Sequence, residues 1–162
     1  YVPQLRYFQQ FASAGTRVFS FSINLGPGFG PELWKGPDEY DFAPLDDLVR
    51  RVLEAQPQAL IMPRIYLTTP AWWIESHPQE HQHLGDGSTR YSKGVGHGRD
   101  EKAFASLASR RWRDQTAAAL RKVIEHTLAA DYRNHLFGYI LTGLMSEEWY
   151  HWSIHTNQLS DS

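Results

Sequence analysis

The chain has 162 residues, a net charge of −2 and no cysteine. This length is typical of one domain with a sizeable core. The small charge gives no electrostatic basis for binding nucleic acid or an anionic membrane, and the absence of cysteine excludes disulfides and thiolate chemistry. No apolar run is long enough to span a bilayer. The first ten residues lack a signal-peptide pattern, but a mature secreted chain would lack it too, so the sequence assigns no compartment.

Three apolar segments predict β-strands at residues 16–24, 58–67 and 135–143. In the first segment, Ser20 and Ser22 are set among β-forming residues. The other two segments are almost continuously apolar, which is typical of parallel strands covered on both faces.

Helical patterns lie before and between these strands. A short helix is predicted around residues 4–13, ending at Gly15. Segment 44–55 begins with proline and carries two aspartates in its first turn, which suits the start of a helix. Segment 109–132 repeats apolar residues at helical spacing. The predicted buried faces contain Leu45, Leu48, Val49, Val52 and Leu53 in the former segment, and Trp112, Leu120, Val123, Ile124 and Leu128 in the latter.

The alternation of helices and strands predicts an α/β fold with a parallel sheet. The connections that leave the first two strands, residues 25–43 and 68–108, are long. Long loops at the carboxyl ends of strands are where α/β folds hold their active sites. Two architectures fit: a partial (β/α)8 TIM barrel with about three parallel strands, or a small open α/β sheet. A whole barrel takes roughly 250 residues, so only part of one is expected here.

Aromatic residues make up 14% of the chain, and most of the six tryptophans fall in loop-like segments. Such side chains offer flat apolar faces on which sugar rings stack, although they also cap a core beneath long loops. Trp34, Trp72 and Trp73 are candidate stacking platforms. Trp72 and Trp73 are adjacent and cannot both face the same way, so one of the two is expected in the core.

Three motifs at the predicted strand ends resemble β-galactosidase-like TIM-barrel glycoside hydrolases, such as those of family 42. They are WKGPDEYDFAPLDDL at 34–48, MPRIYLTTPAWWIESHPQE at 62–80 and FGYILTGLMSEEWYHW at 137–152. The likeness extends from about residue 4 to residue 152. It implies hydrolysis of β-glycosidic bonds with retention, without any cofactor or metal.

In the resemblance, Glu148 corresponds to the general acid/base. Its aromatic neighbour Trp149 and the adjacent Glu147 favour the protonated form, because apolar surroundings and a second carboxylate raise the pKa of a carboxyl group. Most of the family has asparagine before the acid, where this chain has Glu147. Glu147 is therefore either a ligand of a sugar hydroxyl or the acid itself. A third interpretation is an exposed helix start with Ser146 as its N-cap.

The resemblance also implies that Arg64 and Asn24 bind sugar hydroxyls. A charge within an apolar strand must be paired or functional, so Arg64 has a structural ion pair as its alternative role. Asn24 ends the first predicted strand, and its alternative role is that of a turn residue.

Three competing functions remain open. A metal site could use His77, His81 and His83, or Glu148 with His151 and His155, although only one Glu-x-x-His pair is present. A non-catalytic carbohydrate-binding module would explain the tryptophans, but such modules are usually all-β. A catalytically silent part of a barrel is the third.

We interpret residues 1–162 as a single partial catalytic domain, a fragment of a longer barrel. The nucleophile of the resembling enzymes follows the seventh strand, which this chain does not reach, so the fragment alone is expected to be inactive. The expected partners are a carbohydrate substrate and the remainder of the same barrel, with neither nucleic acid nor membrane.

Overall fold

The computed structural model of the protein describes residues 5–28, 30–83 and 103–143, together with Gly87 and Thr89. These residues form a mixed α/β domain with small parallel sheets and one antiparallel hairpin, and they form no closed barrel. The strands are β1 Val18–Phe19, β2 Ser22–Asn24, β3 Trp34–Gly36, β4 Glu39–Tyr40, β5 Leu60–Ile61, β6 Arg64–Tyr66 and β7 Ile140–Thr142. The α-helices are α1 Leu5–Ser13, α2 Ala43–Ala55, α3 Ala71–Ser76 and α4 Arg110–Ala129, with 3-10 turns at Pro78–Glu80 and Asp131–His135.

All three predicted strands are present, although they are shorter than predicted. The first is divided into β1 and β2, and the second into β5 and β6. Pro63 lies at the second break, where it has no N–H for a sheet hydrogen bond but still accepts one from the Ile140 amide at 3.0 Å. The strands pair in parallel in the order β2–β6–β7, with β1 beside β5. The three predicted strands therefore lie side by side in the order in which they occur in the sequence.

The three long helices share one hydrophobic core with the sheet. Phe8 of α1, Val49 of α2 and Val123 of α4 belong to the same cluster as Ile23 and Ile65 of the strands. Because successive side chains of a strand point to opposite faces, this cluster defines the helix-covered face of the sheet. On the opposite face, the row of Asn24, Tyr66 and Thr142 is buried as well, so at this level the strands are covered on both faces, as predicted.

The predicted helices are confirmed to within a few residues, but the buried face of α4 differs from the prediction. Ser109 caps α4 by accepting a hydrogen bond from the Trp112 amide at 3.0 Å. Leu128, which the sequence pattern places on the buried face, is 55% exposed. The buried residues of α4 are Trp112, Thr116, Ala119, Val123 and Thr127.

The segment between β2 and α2, predicted as a loop, contains the antiparallel hairpin of β3 and β4. Its turn includes Asp38 with φ at 57°, a left-handed conformation that aspartate tolerates better than most residues. Across the part of the chain described here, no helix combines the length and the apolar character of a membrane span.

Candidate functional site at the carboxyl end of the sheet

The parallel register places two rows of side chains on the sheet face opposite the helical core. Ser22, Arg64 and Ile140 form one row, and the next row is nearer the carboxyl ends of the strands. Neighbouring strands lie about 4.8 Å apart, so the members of a row are adjacent. The second row consists of Asn24, Tyr66 and Thr142. The structure thus brings Asn24 and Arg64, both predicted as site residues, to the same end of one face.

Asn24 is fully buried by the turn that follows it. Its Nδ2 donates a hydrogen bond to the Gly30 carbonyl at 2.5 Å, whereas its Oδ1 has no hydrogen-bond partner. A Cβ atom added at Gly28 would lie 2.8 Å from the Asn24 Cγ and closer still to Oδ1. The predicted binding of a sugar hydroxyl by Asn24 stays a prediction. These contacts are those of a turn residue, the alternative that the sequence left open.

The loops that follow β2 and β6 are joined by a hydrogen bond and by a close contact of their backbones. The Gly26 amide donates to Thr68 Oγ1 at 3.1 Å, and Thr68 is buried. A Cβ atom at Gly26 would approach the Pro70 nitrogen to 2.5 Å, so the backbones meet where only glycine fits. The rim of the site is consequently rigid between these two strands.

Arg64 and Tyr66 lie two residues apart on β6 and share the polar face. Arg64 is half-buried and Tyr66 is 1% exposed, and neither is without an interaction partner. The sequence interpretation missed Tyr66. Its period-two spacing from Arg64 was the signal that could have identified it.

The tryptophans divide between core and surface. Trp34 is 3% exposed and packs against Tyr40, Trp72 and Trp112, so neither ring face is open to a sugar. Trp73 is fully buried, and its Nε1 donates to Gln115 Oε1 at 2.6 Å. Trp72 is half-buried and donates from Nε1 to the Trp34 carbonyl at 3.2 Å. The expected division between Trp72 and Trp73 is met, with Trp73 in the core.

Glu32 is a second site residue that the sequence interpretation missed. It forms a parallel bridge with Asn24 and so extends the second row of side chains beyond the edge of β2. Burial raises the pKa of the Glu32 carboxyl, and the positive charge of Lys35 opposes this rise. The residue that is bridged to Asn24 through its backbone therefore carries a carboxyl group that is harder to ionise than an exposed one.

The histidines proposed as metal ligands are only partly described. His77 Nδ1 lies 2.9 Å from the Trp73 carbonyl, and His81 Nε2 lies 2.7 Å from the Ile74 carbonyl. Within residues 5–28, 30–83 and 103–143, no three acidic or histidine side chains group as metal ligands. The acidic and histidine candidates Glu147, Glu148, His151 and His155 lie outside the described residues.

A separate polar cluster joins α2 to the end of α4. Asp46 Oδ1 accepts hydrogen bonds from His126 Nε2 at 2.8 Å and from Tyr132 Oη at 2.6 Å. The His126 ring stacks on Phe42 with centroids 4.2 Å apart. Burial, together with the hydrogen bond to Asp46, raises the pKa of Tyr132 above its ordinary value. The cluster borders a cleft of about 570 Å³ on the helical side of the fold, away from the polar rows.

No protein-family model matches the sequence, and no curated protein matches it. Among solved structures, the chain is similar to a hypothetical protein from Ruminiclostridium thermocellum ATCC 27405, with 8% identity and a TM-score of 0.46. The match covers 75% of this chain but only 63% of that protein, so the chain spans less than two thirds of its length. A likeness of this degree identifies neither a family nor a function.

Proposed function

We propose that the protein is the first part of a TIM-barrel glycoside hydrolase that cleaves β-glycosidic bonds with retention. The observation that carries the proposal is that Asn24, Arg64 and Tyr66 share one face at the carboxyl end of a parallel sheet whose helices pack on the other face. Active sites of β/α barrels lie at this end of the strands.

The barrel part of the proposal is supported by the strand order. Consecutive strands are neighbours in the order β2–β6–β7, and helices α1, α2 and α4 share one core. An open doubly wound sheet reverses its strand order and carries helices on both faces. Neither feature occurs among the described elements, which favours an arc of a barrel over an open sheet. Later strands of the same barrel would supply the nucleophile.

In the proposed reaction, Glu148 is the acid/base. The nucleophilic carboxylate attacks the anomeric carbon while the glycosidic C–O bond breaks, and Glu148 gives its proton to the departing oxygen. Glu148 then takes a proton from water as the water oxygen attacks the same carbon and releases the nucleophile. In the sequence, Glu148 follows the last residue of β7 by six positions, and the parallel strands β2, β6 and β7 end at one edge of the sheet.

The polar rows suggest distinct roles for the other predicted residues. Half-buried Arg64 and Glu147, next to the acid in the sequence, would hold sugar hydroxyls, and half-buried Trp72 would contact a sugar ring. Asn24 would shape the rim through its hydrogen bond to Gly30. Trp34 supports the rim from the core and is not proposed as a platform.

The proposal is tested by assaying the full-length protein that contains this chain on a panel of aryl β-glycosides. Activated aryl leaving groups need little acid assistance, so Glu148→Gln should form the glycosyl-enzyme and turn it over slowly. Azide should restore turnover, because it attacks the intermediate without base catalysis.

Glu147→Gln is the matched control for the assignment of the acid. Azide rescue of Glu147→Gln alone would transfer the acid role to Glu147. Cleavage that is unchanged in both variants, or absent with every glycoside, would contradict the proposal. Sugar binding without cleavage would instead indicate a carbohydrate-binding role.

A further inference from the structure

Glu32 is held at the rim of the polar face by backbone hydrogen bonds on both sides of it. The Asn24 amide donates to the Pro31 carbonyl at 2.9 Å, and the Leu33 amide donates to the Asn24 carbonyl at 2.8 Å. These two bonds form the parallel bridge that places Glu32 next to Asn24 in the second row. The backbone at Glu32 is therefore positioned by the sheet.

The burial of the next residue indicates the direction of the Glu32 side chain. Leu33 is fully buried and belongs to the hydrophobic core. Successive side chains of an extended chain point to opposite faces, so Glu32 points away from this core. The row on that side of the sheet consists of Asn24, Tyr66 and Thr142.

The carboxyl group of Glu32 is partly exposed and free to bind a ligand. Glu32 is half-buried, and within the part of the chain that the structure describes, its carboxyl oxygens take part in no hydrogen bond or ion pair. Burial raises the pKa of this carboxyl group, because the ionised form has lost part of its contact with water, and Lys35 offsets this only in part. A ligand that donates a hydrogen bond would replace the lost water.

We propose that Glu32 is a substrate-binding residue whose carboxylate accepts a hydrogen bond from a hydroxyl group of the sugar. This inference rests on the proposed glycoside hydrolase function and adds a specificity-determining residue to it. A hydrogen bond to a carboxylate is stronger than one between two neutral groups. A substrate that lacks the hydroxyl leaves the half-buried carboxylate without its donor, so the site discriminates against that substrate.

The position of Glu32 in the row predicts which part of the substrate it contacts. Neighbouring strands lie about 4.8 Å apart, so the three steps from Glu32 to Thr142 span roughly 14 Å along the sheet. The proposed acid, Glu148, follows β7 in the sequence. Glu32 therefore contacts a hydroxyl remote from the glycosidic oxygen. Loss of such a contact should raise KM and leave kcat nearly unchanged.

The inference is tested with the full-length protein on the aryl β-glycoside that it cleaves best and on the monodeoxy analogues of that glycoside. Removal of the hydroxyl that Glu32 binds should lower kcat/KM of the wild type by about 10- to 100-fold. In Glu32→Ala, KM for the parent glycoside should rise by a similar factor, and removal of the same hydroxyl should have no further effect. Glu32→Gln still accepts a neutral hydrogen bond and should give an intermediate result.

Glu54→Ala is the matched control, because Glu54 is an exposed glutamate of α2 on the helical side of the fold. This variant should keep the wild-type preference among the analogues. The melting temperature of each variant shows whether it is folded. If Glu32→Ala did not fold, Glu32→Gln would decide, because it keeps the shape of the side chain and should show a smaller penalty for the same analogue.

The outcomes that overturn the inference are distinguishable from failure of the proposed function. If the wild type cleaves glycosides and the Glu32 variants keep its full penalty for every missing hydroxyl, Glu32 does not bind the sugar, whereas the hydrolase function stands. Equal changes in Glu32→Ala and Glu54→Ala would overturn the inference in the same way. If the wild type cleaves no glycoside, the proposed function fails and this inference fails with it.

Discussion

Asn24 and Gly28 are in such close contact that a Cβ atom at position 28 would lie 2.8 Å from Cγ of Asn24 and nearer still to its Oδ1. Asn24 is fully buried and its amide is held by the Gly30 carbonyl, so it has no space in which to withdraw. The turn at the rim of the proposed site thus depends both on the buried amide of Asn24 and on the absence of a side chain at Gly28.

Gly28→Ala should therefore lower the free energy of unfolding by about 1–3 kcal/mol, the usual cost of overpacking. This exceeds the gain of about 0.4–1 kcal/mol that a glycine-to-alanine change brings by restricting the unfolded chain. Chemical denaturation measures the change. Gly138→Ala is the control, because nothing lies within 4 Å of a Cβ atom there, and it should be neutral or mildly stabilising. Equal effects of the two substitutions would contradict the contact.

The two adjacent aspartates of α2 should differ in their contribution to stability. Asp46 Oδ1 accepts hydrogen bonds from His126 and Tyr132, and Asp46→Ala would leave the buried Tyr132 hydroxyl without its partner. We expect a loss of about 2–3 kcal/mol. Asp47 pairs with Arg50 and Arg51 at the surface, so Asp47→Ala should cost at most about 1 kcal/mol. Chemical denaturation of both variants measures the two losses of unfolding free energy. A larger loss for Asp47→Ala than for Asp46→Ala would contradict the stabilising role of Asp46.

Much of the fold follows from sequence periodicity, and the failures have identifiable physical causes. Residues 44–55 and 109–132 were predicted as helices because their apolar spacing is strong, and both are helical within a few residues. The sequence does not predict the hairpin of β3 and β4, because strands of two or three residues are too short to show a periodic pattern. Its register is set by contacts with distant segments, which local patterns do not encode.

The candidate site was predictable in part. Arg64 was identified because a charge within an apolar strand needs an explanation, and its row-mate Tyr66 was overlooked because tyrosine fits a core equally well. Trp34 was predicted on a surface because its segment reads as a loop. Three other aromatic rings, brought together from separate elements, enclose it, and only the tertiary structure reveals this.

Substitutions of the two adjacent tryptophans of α3 should differ in their effects on stability and on glycoside binding. Trp73 is fully buried and hydrogen-bonded to Gln115, so Trp73→Ala should cost about 3–5 kcal/mol. Trp72 is only half-buried, so Trp72→Ala should cost less while raising KM for a glycoside if its ring contacts the sugar. Thermal unfolding and steady-state kinetics of the full-length protein provide both readouts. An unchanged KM in a folded Trp72→Ala protein would remove Trp72 from the binding site.

The ionisation of Glu32 should make the free energy of unfolding depend on pH. The direction of this dependence follows from the burial of the carboxyl group. Burial raises the pKa of Glu32 from an ordinary value of 4.5, and Lys35 offsets this only in part. Between 4.5 and the raised value, the folded state holds a proton that the unfolded state has released. The contribution of the protonated carboxyl is thus fully present below pH 4.5 and is lost as the pH rises through the folded-state pKa.

Glu32→Gln removes this titration while keeping the shape of the side chain. The free energy of unfolding of the variant, minus that of the wild type, should therefore rise with pH above 4.5 and then level off. Urea denaturation of both proteins between about pH 4 and about pH 8 measures this difference. A difference that falls with pH for Glu32→Gln would mean that the carboxylate is stabilised in the folded state, and that Lys35 rather than burial dominates its environment.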